Sequence, residues 1–410
     1  MRFFKFIKNK QVYLYLLAIL PLLSLHMVSI AIIIFVLGAL LNFKVNDKAK
    51  KKSVSIGFII FFILPFLMYV ISLVWTDNLQ VGLKYVEKTL SFGILPIVFF
   101  ILKPFKTALQ IKIFNQIFVI ASAFSVVITM LYLLSNIDTI FNEKNTYLTN
   151  MKLRKVIELT PIIGEHPIYF SLIMAMALLL LFYNRFKCRL FNLFLSLLFL
   201  TGIAIASSKG VILSVIVVGI LLTFQEIKNK NKIVIVLALS LFSFATIGYF
   251  TPIKERVNEI INTKHIYPKG DYYNSINLRM AIYNCSFSLI KETPILGYAP
   301  GDVQQKLDRC YKKYNTNAFN DVIYNSHNQY LHYFLSFGII GFTLILFSFI
   351  YFIRISILSK NYAYFNFLIL FLVVFLIENV LVRNTGIVLF TFFNCLFAYS
   401  SLINKKTTIY

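Results

Sequence analysis

Acidic residues are scarce in this chain. There are 16 Asp and Glu among 410 residues, against 40 Lys and Arg, and charged residues of both signs make up only 14%. A water-soluble globular domain carries nearer a quarter. With 59% of its residues hydrophobic, the chain has too little polar surface to cover itself in water, and a bilayer is the solvent that fits. The excess of cations, formally +24, does not gather into one patch. It falls between apolar runs, which argues against nucleic acid as a partner.

Familiar chemical motifs are missing too. There is no glycine-rich nucleotide loop, no His-Glu-x-x-His zinc motif and no Asp-x-Asp pair beside which a sugar nucleotide's metal would sit. ATP-driven transport and metal-dependent hydrolysis therefore have no support. His327 and His332 are five residues apart. On a helix they would point about 140° away from each other, so no two-histidine metal site is expected. No internal repeat is visible, which weighs against a transporter built from two similar halves.

What the chain has is apolar runs of spanning length, where about 20 residues suffice. The candidate spans are 12–26, 28–43, 54–75, 89–102, 111–135, 167–183, 190–206, 210–224, 232–250, 329–353, 362–382 and 385–403. The expectation is an all-α polytopic membrane protein with about twelve spans. Residues 1–250 would hold helices 1–9, 251–328 a large, partly helical loop, and 329–410 helices 10–12. Met1–Lys10 is basic and precedes an apolar run, as a signal peptide would, but no small-residue cleavage site follows. This segment reads as the start of the first helix.

Lys/Arg bias sets the orientation. With the N-terminus cytoplasmic, that side holds 22 of the 40 Lys/Arg but only two of the 16 acids, Asp47 and Glu226. Both termini are then cytoplasmic, and the polar segments 136–166 and 251–328 lie outside. Within the second, 277–291 reads as an amphipathic helix, with Leu278, Ile282, Phe287 and Leu289 between polar residues and Thr293-Pro294 ending it. Cys188 and Cys395 read as packing residues. Cys285 and Cys310 share the outer segment and could pair there, which spacing alone leaves open.

Several charged residues fall at expected outer helix ends. Lys209 sits in the short Ala206-Ser207-Ser208-Lys209-Gly210 link, where a charge is either functional or a snorkelling side chain. Arg279 taken alone is a solvated face residue. His327, in Ser326-His327-Asn328-Gln329-Tyr330-Leu331, is a cap or a general base. Glu378, Arg383 and Asn384 mark the last outer turn, for which an ion pair is the simplest reading. His166-Pro167 opens a helix, with capping the plain explanation. His26 and His265 have no supporting neighbours.

Together and in this order these residues resemble the O-antigen ligase and polymerase superfamily of bacterial envelopes. The resemblance rests on Ser207-Ser208-Lys209-Gly210, on Arg279 followed by Thr293-Pro294-Ile295-Leu296-Gly297-Tyr298, on Ser326–Leu331 followed by Phe337-Gly338-Ile339-Ile340-Gly341, and on Glu378...Arg383-x-x-Gly386. It covers 200–400 well. It implies a membrane glycosyltransferase of the C-type fold, without metal or other cofactor, in the bacterial inner membrane with its site on the periplasmic face. The donor would be an undecaprenyl-diphosphate-linked glycan and the acceptor lipid A–core or another glycan. Transfer would be to an acceptor hydroxyl, with inversion. His327 would be the general base, and Arg279 would bind and stabilise the diphosphate. Lys209, where the family usually has arginine, would assist, with Asn328, Glu378 and Arg383 also substrate-binding. Lysine offers a point charge instead of arginine's bidentate fork. A repeat-unit polymerase and a protein O-oligosaccharyltransferase differ from the ligase in acceptor; a lipid-linked glycan transporter is the alternative of another class.

Overall fold

The computed structural model describes residues 12–43, 54–137, 146–226, 263, 265–320 and 322–404. The expected span at 232–250 lies outside the described residues. Among the described residues the protein is helical throughout, with extended backbone paired only in isolated bridges, Lys269 with Tyr272 and Gly270 with Thr316.

The helices are α1 (Leu25–Leu41), α2 (Ile56–Ile71), α3 (Leu79–Ile97), α4 (Ala108–Ser135), α5 (Thr146–Leu159), α6 (Pro167–Tyr183), α7 (Arg189–Ala206), α8 (Lys209–Glu226), α9 (Ser275–Glu292), α10 (Pro300–Tyr311), α11 (Gln329–Leu358), α12 (Tyr362–Phe375) and α13 (Asn384–Asn404). Among the described residues, six stretches are long and apolar enough to cross a membrane: Ile56–Val74, Leu79–Leu102, Ala108–Ser135, Arg189–Ala206, Gln329–Leu358 and Asn384–Ile403. Four shorter apolar helices accompany them, His26–Leu41, Pro167–Tyr183, Lys209–Gln225 and Tyr362–Phe375. A count of about twelve spans is not established.

Two runs differ from expectation. Residues 12–22 wind as 3-10 turns instead of an α-helix, ending around Pro21, which has no N–H to donate, and α1 starts afresh after Ser24. The third helix begins ten residues before the expected 89. Lys84, Glu87 and Lys88 dilute the hydropathy there, but Asn78 caps the helix by accepting from Val81 N–H.

The bundle is organised around α13, which is 83% buried over its spanning window. Its Phe392 ring lies 5.7 Å from Phe35, 5.2 Å from Phe99 and 5.0 Å from Phe114. One short hairpin of aromatic side chains thus joins α1, the end of the third helix and α4 to α13.

The segment 263–328 packs on one end of this bundle. Helices α9 and α10 share a small apolar cluster of Ile282, Leu289, Val303, Leu307 and Tyr311 with Leu335 of α11. Leu278, Ile282, Cys285 and Leu289 recur at helical spacing and are buried, while Phe287, expected on the apolar face, is exposed. Cys285 and Cys310 form a disulfide tying α9 to α10. Asp302, buried at the start of α10, accepts from the Thr76 hydroxyl and from the Asp77 and Asn78 N–H groups, fixing the segment to the turn between α2 and α3.

A second attachment is made at Gly338, where α11 breaks with φ +60°. The break frees backbone groups in an apolar setting, and 294–299 satisfies them. Tyr298 and Ala299 N–H donate to the Leu335 and Ser336 carbonyls, and Ile339 N–H donates to the Pro294 carbonyl, at 2.8, 3.0 and 2.8 Å. Gly297, also at positive φ, lets the two backbones meet: a Cβ on it would press on the Leu335 carbonyl, and one on Gly338 would strike the Ile295 carbonyl. Gly338→Ala and Gly297→Ala are each expected to cost about 2 kcal/mol or more from strain and collision. Gly219→Ala in α8, where a Cβ meets nothing within 4 Å, should be neutral or stabilising. Thermal unfolding in detergent checks this; equal melting temperatures for all three would refute the backbone lock.

Candidate active site

Four separate stretches meet where the segment around α9 and α10 covers one end of the bundle. Helix α9, capped by Asn274 accepting from Ile276 and Asn277 N–H, carries Arg279. The turn before α11 carries His327, held at φ +44° with its N–H donating to Asn325 Oδ1. The link between α12 and α13 carries Glu378. The start of α8 carries Lys209.

Glu378 is the centre of the arrangement. Arg279 donates one guanidinium nitrogen to Glu378 Oε1 at 3.2 Å and another to the Ile377 carbonyl at 3.0 Å. His327 Nδ1 lies 3.4 Å from Glu378 Oε2. All three side chains are partly shielded, with exposures of 26%, 27% and 17% for Arg279, His327 and Glu378, so the pairing is poorly screened by water. Burial pushes the Glu378 carboxyl up, but the His327 hydrogen bond and charge, then Arg279 and Arg154, outweigh it. The net pKa is below the ordinary carboxylate value. Glu378 is therefore an ionised acceptor near neutral pH.

The backbone around these groups is stitched tightly. Asn328 accepts from Tyr330 and Leu331 N–H, capping α11, and donates to the Leu376 carbonyl at 3.0 Å. Ser326 and Asn379 are hydrogen-bonded, and Gln329 accepts from Leu381 N–H at 2.8 Å. The run 325–330 thus holds 376–381 in register. Asn328, expected to touch substrate, has both ends of its amide engaged in this scaffold.

Lys209 lies beside the cluster. Its ammonium donates to the Ser275 hydroxyl at 3.4 Å, and Ser275 is one helical turn before Arg279 on α9. Arg383 sits just ahead of α13. Its guanidinium makes no hydrogen bond or ion pair with the described residues, yet its charge is felt at Glu165 and His166.

Those two residues, with Arg154, were not read as site residues. His166 caps α6, as expected, by accepting from Ile168 N–H at Nδ1, and its Nε2 lies 3.7 Å from Glu158. Burial, then the charges of Arg383 and Arg154, hold its pKa down at about 4. Glu165 is raised by burial, against donation from His166 N–H and the Thr385 hydroxyl and the charge of Arg383. The only hint in the sequence was the position of Glu165-His166 at a helix start. Arg154 lies on α5, in a stretch with no motif.

The region therefore gathers cations: Arg279 and Arg154 act on the partly buried Glu378, Arg383 acts on Glu165 and His166, and Lys209 lies beside α9. Such an arrangement can hold a multiply charged anion and move one proton.

Because folded His166 holds a proton less tightly than an unfolded chain, its contribution to stability is present above pH 6.5. It is lost as the pH falls toward 4. Histidine NMR in detergent should find His166 neutral at pH 6, and Arg383→Gln should move its midpoint upward. An ordinary midpoint unaffected by that substitution would contradict the described electrostatics.

Residues 194–346 match the family model for O-antigen ligases. The match supports the O-antigen ligase and polymerase superfamily, whose members are membrane glycosyltransferase-like ligases and polymerases. It includes Lys209, Arg279, His327 and Gly338; Glu378 and Arg383 lie outside it. No curated protein matches the chain. Together with the apolar helices of spanning length, the match indicates an integral membrane protein.

Proposed function

We propose that this integral membrane protein of the O-antigen ligase and polymerase superfamily is a ligase. In this reading it moves a glycan from undecaprenyl diphosphate to a hydroxyl of lipid A–core on the periplasmic face of the inner membrane. The observation that carries the mechanism is the Glu378 carboxylate spanning Arg279 and His327.

An ionised Glu378 can only accept hydrogen bonds, so when His327 holds a single ring proton the bond to Glu378 places it on Nδ1. His327 Nε2 is then the basic nitrogen, the tautomer a general base requires. In the reaction, the acceptor oxygen attacks the anomeric carbon as its proton passes to Nε2. The bond from that carbon to the phosphate oxygen breaks on the opposite side, with inversion. The diphosphate leaves with the electron pair.

The leaving group gains negative charge, and fixed cations in a shielded site stabilise it most. Arg279 has five N–H donors, of which two go to Ile377 and Glu378. The remaining donors would bind phosphate in this reading. Lys209 and Arg383 add charge from two other sides. Glu378 orients both working groups; it is a positioning residue here, whereas the family resemblance implied contact with substrate. Asn328 supports the same turn.

The test is glycan transfer in liposomes with polyprenyl-diphosphate oligosaccharide as donor, lipid A–core as acceptor, and EDTA present. His327→Ala is expected to lose about 100- to 10,000-fold in rate, and Arg279→Ala about 100- to 1,000-fold. Arg279→Lys should recover only part, because a point charge replaces the fork. Undiminished transfer by His327→Ala would sink the general-base role. Elongation of the donor glycan without transfer to lipid A–core would make the protein a polymerase.

A further inference from the structure

A cavity of about 560 Å³ lies between α6, α7, α8 and α12. It belongs to the far end of α6 from the site just described. His166 starts that helix and Tyr183 ends it, and 17 residues of α-helix span about 26 Å. This is close to the thickness of a bilayer's hydrocarbon core, so in the orientation proposed above the two sites face opposite leaflets.

The walls are apolar: Leu178 and Leu181 of α6, Val218 and Leu222 of α8, and Leu370 of α12 among them. The polar groups one turn beyond the walls are consumed by one another. Asn366 donates to the Tyr183 hydroxyl at 2.8 Å and to Gln225 Oε1 at 2.9 Å, closing α6, α8 and α12 together. Leu193, which also lines the cavity, is exposed on the outer face of α7. The space therefore opens toward lipid.

Its charged lining is Arg185 and Arg189. Arg185 donates Nε–H to the Phe182 carbonyl at 3.2 Å and its guanidinium lies 4.8 Å from the Phe182 ring, so it is held against the wall with its terminal NH groups outward. Arg189 makes no side-chain hydrogen bond or ion pair with the described residues. The turn between them is latched by Asn192, which donates to the Phe186 and Cys188 carbonyls and accepts from Phe186 N–H. Arg189 is also the first residue of α7, whose cap residue Cys188 gives no side-chain cap. The positive end of the helix thus adds to both arginines. Snorkelling alone would explain one exposed arginine. It does not explain two on a latched turn at the mouth of a cavity whose described walls are apolar.

We infer that this cavity binds an anionic phospholipid of the leaflet opposite the active site, with its phosphate at Arg185 and Arg189 and an acyl chain between α6, α7, α8 and α12. Basic openings between membrane helices suit such headgroups, and the apolar volume suits a chain.

Gly219 lines the cavity, and a Cβ there meets nothing within 4 Å, so Gly219→Leu would fill the chain compartment. The experiment is native mass spectrometry of the purified full chain in neutral detergent, with phosphatidylglycerol or phosphatidylcholine added. Maleimide labelling of Cys188 serves as a second readout, since Cys188 is exposed, Cys395 buried and the other two cysteines bonded. Wild type should retain phosphatidylglycerol at least tenfold over phosphatidylcholine, and bound lipid should slow labelling. Arg185→Gln/Arg189→Gln should abolish the preference. Gly219→Leu should abolish retention of both lipids without lowering the melting temperature. Equal retention of the two lipids by wild type, or no change in either variant, would overturn the inference. So would glycerol phosphate slowing the labelling as well as phosphatidylglycerol, which would leave only an anion site. Polyprenyl phosphate displacing phosphatidylglycerol at equal concentration would assign the cavity to the carrier. A dimer lost in Gly219→Leu would assign it to a second copy of the chain.

Discussion

Backbone amides and carbonyls exposed inside an apolar bundle find no water, and each must be paired within the protein. The break in α11 at Gly338 creates that demand, and the strand-like pass of 294–299 meets it. This exchange fixes more than local geometry. The pass begins just after α9 ends and runs into α10, so anchoring it sets where α9 lies on the bundle. Arg279 reaches Ile377 and Glu378 from there. The disulfide and Asp302 hold the other side of the same unit. A broken helix near the end of the bundle is thus the foundation on which the cationic cluster stands.

Within that cluster a single carboxylate decides the balance of charge. Its burial alone would favour the protonated acid; the neighbouring His327, Arg279 and Arg154 reverse this. The same excess of positive charge acts the other way on His166, which is kept neutral. Two titratable groups a short distance apart are therefore driven to forms that both suit an anionic ligand: one counter-charge to hold the cations, and one imidazole that adds no further charge to repel its neighbours.

Much of this was legible in the sequence, because the governing signals are local. Hydropathy marks the apolar runs, and Thr293-Pro294 marks the end of α9. Arg279, Lys209 and His327 stood out as charges at helix ends. Glu378 was visible as part of a polar turn, but its role as joint partner depends on contacts 99 and 51 residues away in sequence. Arg154 lay in a stretch without periodicity or motif, and nothing local connects it to residue 378. The 3-10 winding of 12–22 was hidden because an apolar composition reads the same for either helix type. The early start of α3 was hidden because its first turns carry charges that a bundle edge tolerates.

The chain order of the cluster sets a schedule for its assembly. Lys209, Arg279 and His327 are synthesised before Glu378, and the carboxylate that joins two of them arrives last of the four. A nascent chain in which α9 and α11 have formed carries these cations without their shared counter-ion. The 376–381 link must close before His327 acquires a fixed tautomer and Arg279 a fixed direction. The working geometry thus comes into being only when α12 turns back toward α13, so an incompletely inserted chain has the charged parts of the site but not their alignment.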